Sequence, residues 1–440
     1  MKIKAVFPGL LVALLLSLPQ PSAARPPTQV KAVINRAENP EGATDYMVLP
    51  FAFSAESTEF VMGVGGMRRG VHQEQMLVGG AAYGGEESYG GFGGVWDYRI
   101  PFLRRAFVSG MGMVGHYPQH RAYTLPRSIY LPPGVERPGS NDSSEDIYME
   151  AEGHSNWLDL KLDYVWPLGA AAERGMVRYD LAGGLLTSEP SGGAAWNPAT
   201  SGVTITTLRQ YNRYQSYEYP LGTLDGDVNA FELGLLYDNT DFPINPSRGS
   251  YQYVAFHFDP GWGDDTDQWN FIEAEASKYL SFGPGKWSSQ RILALNAWTG
   301  YSPSWELETN ESGGRRVENG PPFLEGASLG GFYRLRGFRD SRFHDKAAIY
   351  AAAEYRYTLR YNPIRDVHWL RFLNLDWFQL VGFVEGGRVA PEYEADLLFE
   401  DWKSSGGFSL RALTGGIVVR FDVGFSDEGS NMWVMVGHPF

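Results

Sequence analysis

From Trp157 to Trp166 the chain alternates. Leu158, Leu160, Leu162, Tyr164 and Trp166 share one side, and Asp159, Lys161 and Asp163 share the other. The same period of two sets Ile349, Ala351, Ala353, Tyr355, Tyr357 and Leu359 against Tyr350, Glu354, Arg356, Thr358 and Arg360. Ile272, Ala274, Ala276 and Leu280 oppose Glu273, Glu275 and Ser277. Successive strand residues point to opposite faces, so each segment reads as a β-strand with one apolar and one polar face. Soluble sandwiches alternate too. Two features favour lipid here: the segments run about ten residues, enough to cross a bilayer when tilted, and aromatics gather near their ends as an interfacial girdle requires. Hydrocarbon supplies no hydrogen-bond partners, so such a sheet must close on itself.

The pattern predicts an all-β fold, a transmembrane antiparallel β-barrel of about sixteen strands. The segments are 46–54, 58–68, 74–83, 88–98, 104–117, 154–166, 176–187, 228–239, 248–259, 268–281, 290–301, 347–360, 377–388, 408–418, 419–426 and 431–440. The split near 418 is the weakest, because Gly416–Gly424 carries no turn signal. Barrels of this type have long external loops and short periplasmic turns. With the chain starting on the periplasmic side, the long gaps 118–153, 188–227 and 302–346 all face outward. The gap 361–376 breaks that rule.

Residues 1–24 read as a signal peptide, with Lys2 and Lys4, an apolar stretch from Leu10 to Leu16, and the small residues Ser22-Ala23-Ala24. Residues 25–45 read as a periplasmic linker or tail, and 46–440 as the outer-membrane barrel of a Gram-negative-type bacterium. Glycine makes up 53 of the 440 residues, well above the usual share of about 7%. Small residues suit a crowded or water-filled lumen. The chain has no cysteine, which excludes disulfides, thiolate metal sites and a cysteine nucleophile. Its formal charge of −14 argues against a nucleic-acid partner.

Ser328-Leu329-Gly330-Gly331-Phe332-Tyr333-Arg334-Leu335-Arg336-Gly337-Phe338 resembles the signature of the BamA-like outer-membrane assembly family, also called the bacterial surface antigen family. The tetrad Leu335, Arg336, Gly337, Phe338 follows the eleventh predicted strand, where that family carries it in its sixth external loop. Tyr237-Asp238-Asn239-Thr240-Asp241 with Pro243, Pro246 and Gly249 resembles the family's Asp-rich strand end and turn. Phe383-Val384-Glu385-Gly386-Gly387 is similar to its Phe-x-Asp-x-Gly strand, with Glu for Asp. Val436-Gly437-His438-Pro439-Phe440 is similar to its terminal aromatic signal, and Leu49–Ser54 to its opening hairpin. The departure is the absence of the periplasmic POTRA domains that assembly members carry.

The resemblance implies a long external loop folded into the lumen and pinned to the wall by Arg336. It implies work in assembly or translocation of proteins at the outer membrane, as a subunit or scaffold of a larger complex, with client proteins or accessory subunits as partners and a homo-oligomer as an option. Independently of it, a buried guanidinium needs carboxylates. Glu354 and Glu385 stand on adjacent predicted strands, and Arg356 shares the face of Glu354. Gly337 would let the loop turn tightly, and Phe338 would pack on the wall. Closure pairs strand 46–54 with 431–440, where Pro50 and Pro439 each remove a ladder donor and Gly437 weakens packing. That seam reads either as a lateral gate for β-augmentation by a client strand or as two strand ends at the membrane rim, and the residues leave both open.

Other motifs reduce to structure. Gly110-x-Gly112-x-x-Gly115 lies inside an alternating segment with no helix after it, so it is no dinucleotide turn. His116 and His120 have helical metal spacing but enclose Pro118, and Asp264-Asp265-x-Asp267 lacks a full calcium-loop pattern. No nucleophile elbow appears. The expectation is therefore no enzyme, no cofactor and no metal, with outer-membrane lipids as surroundings. A diffusion channel for small solutes is the alternative function, and an adhesin using loops 118–153 and 188–227 a third.

Overall fold

The computed structural model describes residues 28–37 and 46–440, apart from 56, 126–128, 221, 263–266, 323–324, 365–366, 368–369 and 371–372. The proposed signal peptide and the Asp264-Asp265 pair lie outside the described residues.

Sixteen strands form one antiparallel sheet in chain order. They are β1 (Tyr46–Ala55), β2 (Glu59–Arg69), β3 (Leu77–Gly85), β4 (Tyr89–Arg99), β5 (Ala106–Ala122), β6 (Met149–Val165), β7 (Val203–Tyr219) and β8 (Gly222–Asp238). Then follow β9 (Gly249–Asp259), β10 (Trp269–Ser281), β11 (Ser288–Tyr301), β12 (Ala347–Leu359), β13 (Leu375–Ala390), β14 (Lys403–Thr414), β15 (Ile417–Ser426) and β16 (Gly429–Val436). β1 and β16 stand at the two ends of the sheet and, among the described residues, share no ladder. The closing pair expected from the sequence is thus an open seam.

Burial runs opposite to that of a water-soluble protein. Leu158, Leu160 and Leu162 are 45, 49 and 40% exposed, whereas Asp159 and Asp163 on the same strand are 3 and 0% exposed. Ile272 and Tyr355 likewise face out, while Glu273, Glu354 and Arg356 face in. In water this arrangement would leave apolar area wet and charge buried, both unfavourable. Hydrocarbon outside and a polar interior inside remove the conflict.

Three expectations are corrected. Segment 176–187 is no barrel strand: Val177–Ala182 pairs in parallel with Ala32–Arg36 and antiparallel with Leu185–Leu186 in a separate small sheet. Its alternation is real, so periodicity alone could not tell which sheet it joins. The missed strand is β7. Its inward face carries Arg209, Tyr211 and Arg213, and its outward face Thr204, Thr206, Gln210 and Asn212, so polarity on both sides hides the period. The count of sixteen survives because these errors offset. The β14–β15 turn is Gly415-Gly416, both at positive φ, rather than a break near 418. A two-residue hairpin needs such a conformation, and glycine takes it without strain.

Taking the rim where β1 begins as proximal, the connections 123–148 and 302–346 lie at the distal rim, as expected. The expected outward gap 188–227 does not: the distal β7–β8 link spans 220–221, and the long excursion 166–202 sits at the proximal rim. The connection 360–374 is proximal too. Residues 28–37 are no free tail. They lie against the excursion, with Val30, Lys31 and Val33 buried. The Gly110–Gly115 motif and both His116 and His120 fall within β5 rather than at a loop base.

Candidate functional site

The site is the connection 302–346, which enters the lumen. Leu335 adopts φ +53°, a left-handed turn uncommon outside glycine. The turn aims Arg336 at the wall. Its Nε meets Glu385 of β13 at 2.8 Å, Nη2 meets Glu354 of β12 at 2.9 Å, and Nη1 meets Asp422 of β15 at 3.3 Å. The Phe383 ring lies 3.6 Å from its guanidinium carbon. Burial opposes the charge, but Glu385, Glu354 and Asp422 outweigh it and hold Arg336 above the ordinary arginine range.

More cations join from the wall. Glu354 also accepts from Arg356 at 2.8 Å and from Arg411 of β14 at 2.6 Å. Arg420 of β15 pairs with Asp422 and donates to the Phe332 carbonyl at 2.6 Å. Tyr350 and Ser405 donate to Glu385 at 2.7 and 2.9 Å. Four guanidinium groups and three carboxylates thus interlock, all shielded from solvent. The structure brings together Arg336, Glu354, Arg356 and Glu385. Arg356 reaches Arg336 only through Glu354.

Gly337 has a different role from the one expected. Its φ is not positive. A Cβ there would stand 2.5 Å from the Phe425 carbonyl oxygen and 2.8 Å from the Ser405 Cβ, and one on Gly424 would stand 2.4 Å from the Arg336 oxygen. The loop lies flat on β15 only because both positions lack side chains. β16 holds the same tip: Trp433 donates to the Arg336 carbonyl at 2.8 Å and Asn431 to the Gly337 carbonyl at 2.7 Å. Phe338 packs edge-on against Phe343, 5.1 Å between rings, in the interior cluster with Leu335 and Tyr350.

The opposite wall holds the loop too. Arg334 lies 3.6 Å from Glu275 of β10 and 3.8 Å from the Trp298 ring of β11. Glu325 reaches Arg213 of β7 at 3.4 Å. The loop therefore spans the lumen. None of these contacts was foreseen, nor were Asp422, Arg411 and Arg420. The one available signal was charge on inward positions of β7, β10, β14 and β15, which marks a lumen face without pairing it.

The predicted seam residues separate. Pro50 is exposed in β1, opposite Val64. The last strand ends at Val436, so Pro439 removes no ladder donor. Gly437 bends the chain at φ +85° and donates to the Val418 carbonyl at 2.7 Å. His438, Pro439 and Phe440 are buried. His438 Nδ1 meets Arg411 at 2.7 Å, and Arg356 donates to Phe440 O at 3.1 Å with the ring 5.2 Å away. The terminal aromatic thus joins the interior network instead of the strand.

A model of the Omp85 superfamily domain matches residues 197–432, more than half of the chain. The chain belongs to the Omp85 superfamily. No curated protein sequence matches it. Among solved structures, CdiB from Escherichia coli aligns with TM-score 0.52 and 12% identity over 89% of this chain and 61% of that one. CdiB from Acinetobacter baumannii aligns at TM-score 0.47 and 11% identity over 89% and 58%. BamA from Haemophilus ducreyi lacking POTRA domains 1–3 aligns at 0.44 and 11% over 89% and 69%. The chain spans about three fifths of the two CdiB chains. The likeness to the Escherichia coli protein is one of fold alone. Superfamily membership places this Omp85 chain among outer-membrane proteins of Gram-negative bacteria and supports a part in protein assembly or translocation there.

Proposed function

We propose that this Omp85 barrel serves protein assembly or translocation as a subunit or scaffold, through its wall and seam, and without cofactor or catalysis. In this reading the proximal rim faces the periplasm, residues 1–24 direct export, and lipids surround the wall. Client proteins or accessory subunits are the partners, and a homo-oligomer is one form of the scaffold. The observation that carries the reading is the loop 302–346, bonded to β12, β13, β15 and β16 on one side and to β7 and β10 on the other. Pinning by Arg336 supports the barrel wall. A lumen filled by Phe332, Leu335, Phe338, Phe343 and Phe440 is poorly suited to free solute passage. The carboxylates of Glu354, Glu385 and Asp422 are each paired with arginine, which suits a structural role better than proton transfer.

The test is site-specific photo-crosslinking from exposed positions of β1 and β16, such as Val48 and Met432, in native outer membranes. Adducts with newly made barrel proteins or assembly subunits are expected. Absence of any protein adduct, together with a large steady conductance in planar bilayers that changes on deletion of the loop, would replace this reading with the solute channel.

A further inference from the structure

At the proximal rim, residues 28–37 lie extended across the mouth. Lys31 is 1% exposed, with Nζ 2.7 Å from Asp97 of β4 and 2.7 Å from Asp163 of β6. Ala32–Arg36 then pairs residue by residue with Val177–Leu181 in parallel. Arg36 ends the run, 2.6 Å from Asp376 of β13 and 3.0 Å from the Asn374 carbonyl. Ala32 and Ile34 pack against the cluster of Tyr179, Leu181 and Phe242. Two acidic ends, separated by a five-residue strand edge, thus hold one extended segment by its backbone and by two cations. At about 3.3 Å per residue, the span from Lys31 to Arg36 is roughly 17 Å.

Apart from its own peptide link to the barrel, this segment is held by non-covalent contacts alone, since the chain has no cysteine. Were it to leave, the Val177–Ala182 edge would bare its backbone groups, and the fully buried Asp163 would lose one of its two lysines, keeping Lys161 at 3.2 Å. Bare edges recruit extended chains, and buried carboxylates need cations. We propose that this edge with its acidic ends is an acceptor site for an extended peptide segment carrying two cations five residues apart with β-branched or small residues between, and that residues 28–37 are its resident, displaceable occupant. The client role of such a segment rests on the function proposed above. The binding itself does not, and it is tested without any client.

The chain has no cysteine, so a single engineered pair can lock the occupant. Asn35 and Asp180 are partners in register, with side chains 2.7 Å apart at the surface. The probe is a fluorescent synthetic peptide with the sequence Thr28–Ala37, added to the detergent-solubilised full-length protein and followed by anisotropy. Lys31→Ala, which loosens the occupant and leaves the acceptor intact, is expected to bind the probe at least tenfold tighter than the unaltered protein. Replacing the lysine of the probe by alanine is expected to cost at least tenfold. In the Asn35→Cys/Asp180→Cys protein, oxidation is expected to weaken binding tenfold relative to the reduced form. Should Lys31→Ala fail to fold, the reduced and oxidised forms decide alone. Equal binding in both, or none in either, overturns the site while leaving the crosslinking test of the barrel's function untouched.

Discussion

Arg336 and Glu385 are joined twice: the Arg336 backbone N–H donates to Oε2 at 2.7 Å, and its Nε donates to Oε1 at 2.8 Å. One carboxylate thus fixes both the path of the loop and the direction of its side chain. A backbone donor and a guanidinium on one acceptor specify a single loop position, which a lone ion pair does not.

Removal of Arg336 would leave Glu385 without its cation and Asp422 with Arg420 alone. Arg336→Ala is expected to destabilise the barrel by about 3–5 kcal/mol, the range for breaking a buried pair. Arg336→Lys should recover only part of this, because an ammonium lacks the planar fork that reaches three carboxylates. The check is the temperature at which the folded, fast-migrating band converts on a heat-modifiability gel. An unchanged temperature in Arg336→Ala would sink the pinned loop.

Gly337→Ala and Gly424→Ala should each lift the loop from β15 although neither removes a polar group. The new Cβ would press on backbone atoms, which cannot rotate away. A cost of about 1–3 kcal/mol is expected from such overpacking. Limited proteolysis of the loop reads it directly: cleavage between β11 and β12 should accelerate in both variants. Alanine at Gly382, where a Cβ meets nothing within 4 Å and φ is not positive, should leave loop cleavage unchanged.

Phe440 and Arg356 should be energetically coupled. A double-mutant cycle with Phe440→Ala and Arg356→Ala, read by the same thermal conversion, is expected to show an interaction of about 0.5–3 kcal/mol. Strict additivity would mean that the terminal aromatic does not rest on the network.

His344, buried in the loop, supplies a pH dependence. Burial and the neighbouring Arg137 push its pKa down to about 3, against a weaker upward pull from the Glu325 backbone. The unfolded imidazole, near 6.5, therefore binds a proton that the folded one refuses between those values. Stability from this group is full above about pH 6.5 and falls toward pH 3, on the order of 1 kcal/mol per pH unit. His344→Gln should flatten the profile between pH 6.5 and 4.5. An unaltered slope would assign the acid sensitivity to the carboxylates instead.

Legibility differed by element. β6, β10 and β12 stood out because lipid on one side and a polar lumen on the other impose the strict alternation seen at Leu158 to Tyr164. β7 stayed hidden because its outward Gln210 and Asn212 are as polar as its inward Arg209 and Arg213. Arg336 and Glu385 were legible from a motif and a neighbouring strand. Asp422 was not, because it comes from β15, two strands beyond Glu385, and only the curvature of the sheet brings it within 3.3 Å. The parallel pairing of Ala32–Arg36 with Val177–Leu181 joins segments about 145 residues apart, with no local turn to announce it.

By itself the sequence determined what is local: period-two strands, an acidic chain without thiols, and an arginine that needs acids. Tertiary structure alone decided which acids those are, that Phe440 turns inward, and that residues 28–37 cross the mouth. Side-chain alternation follows from each strand's own geometry. Pairing across a lumen depends on the register and curvature of all the strands between.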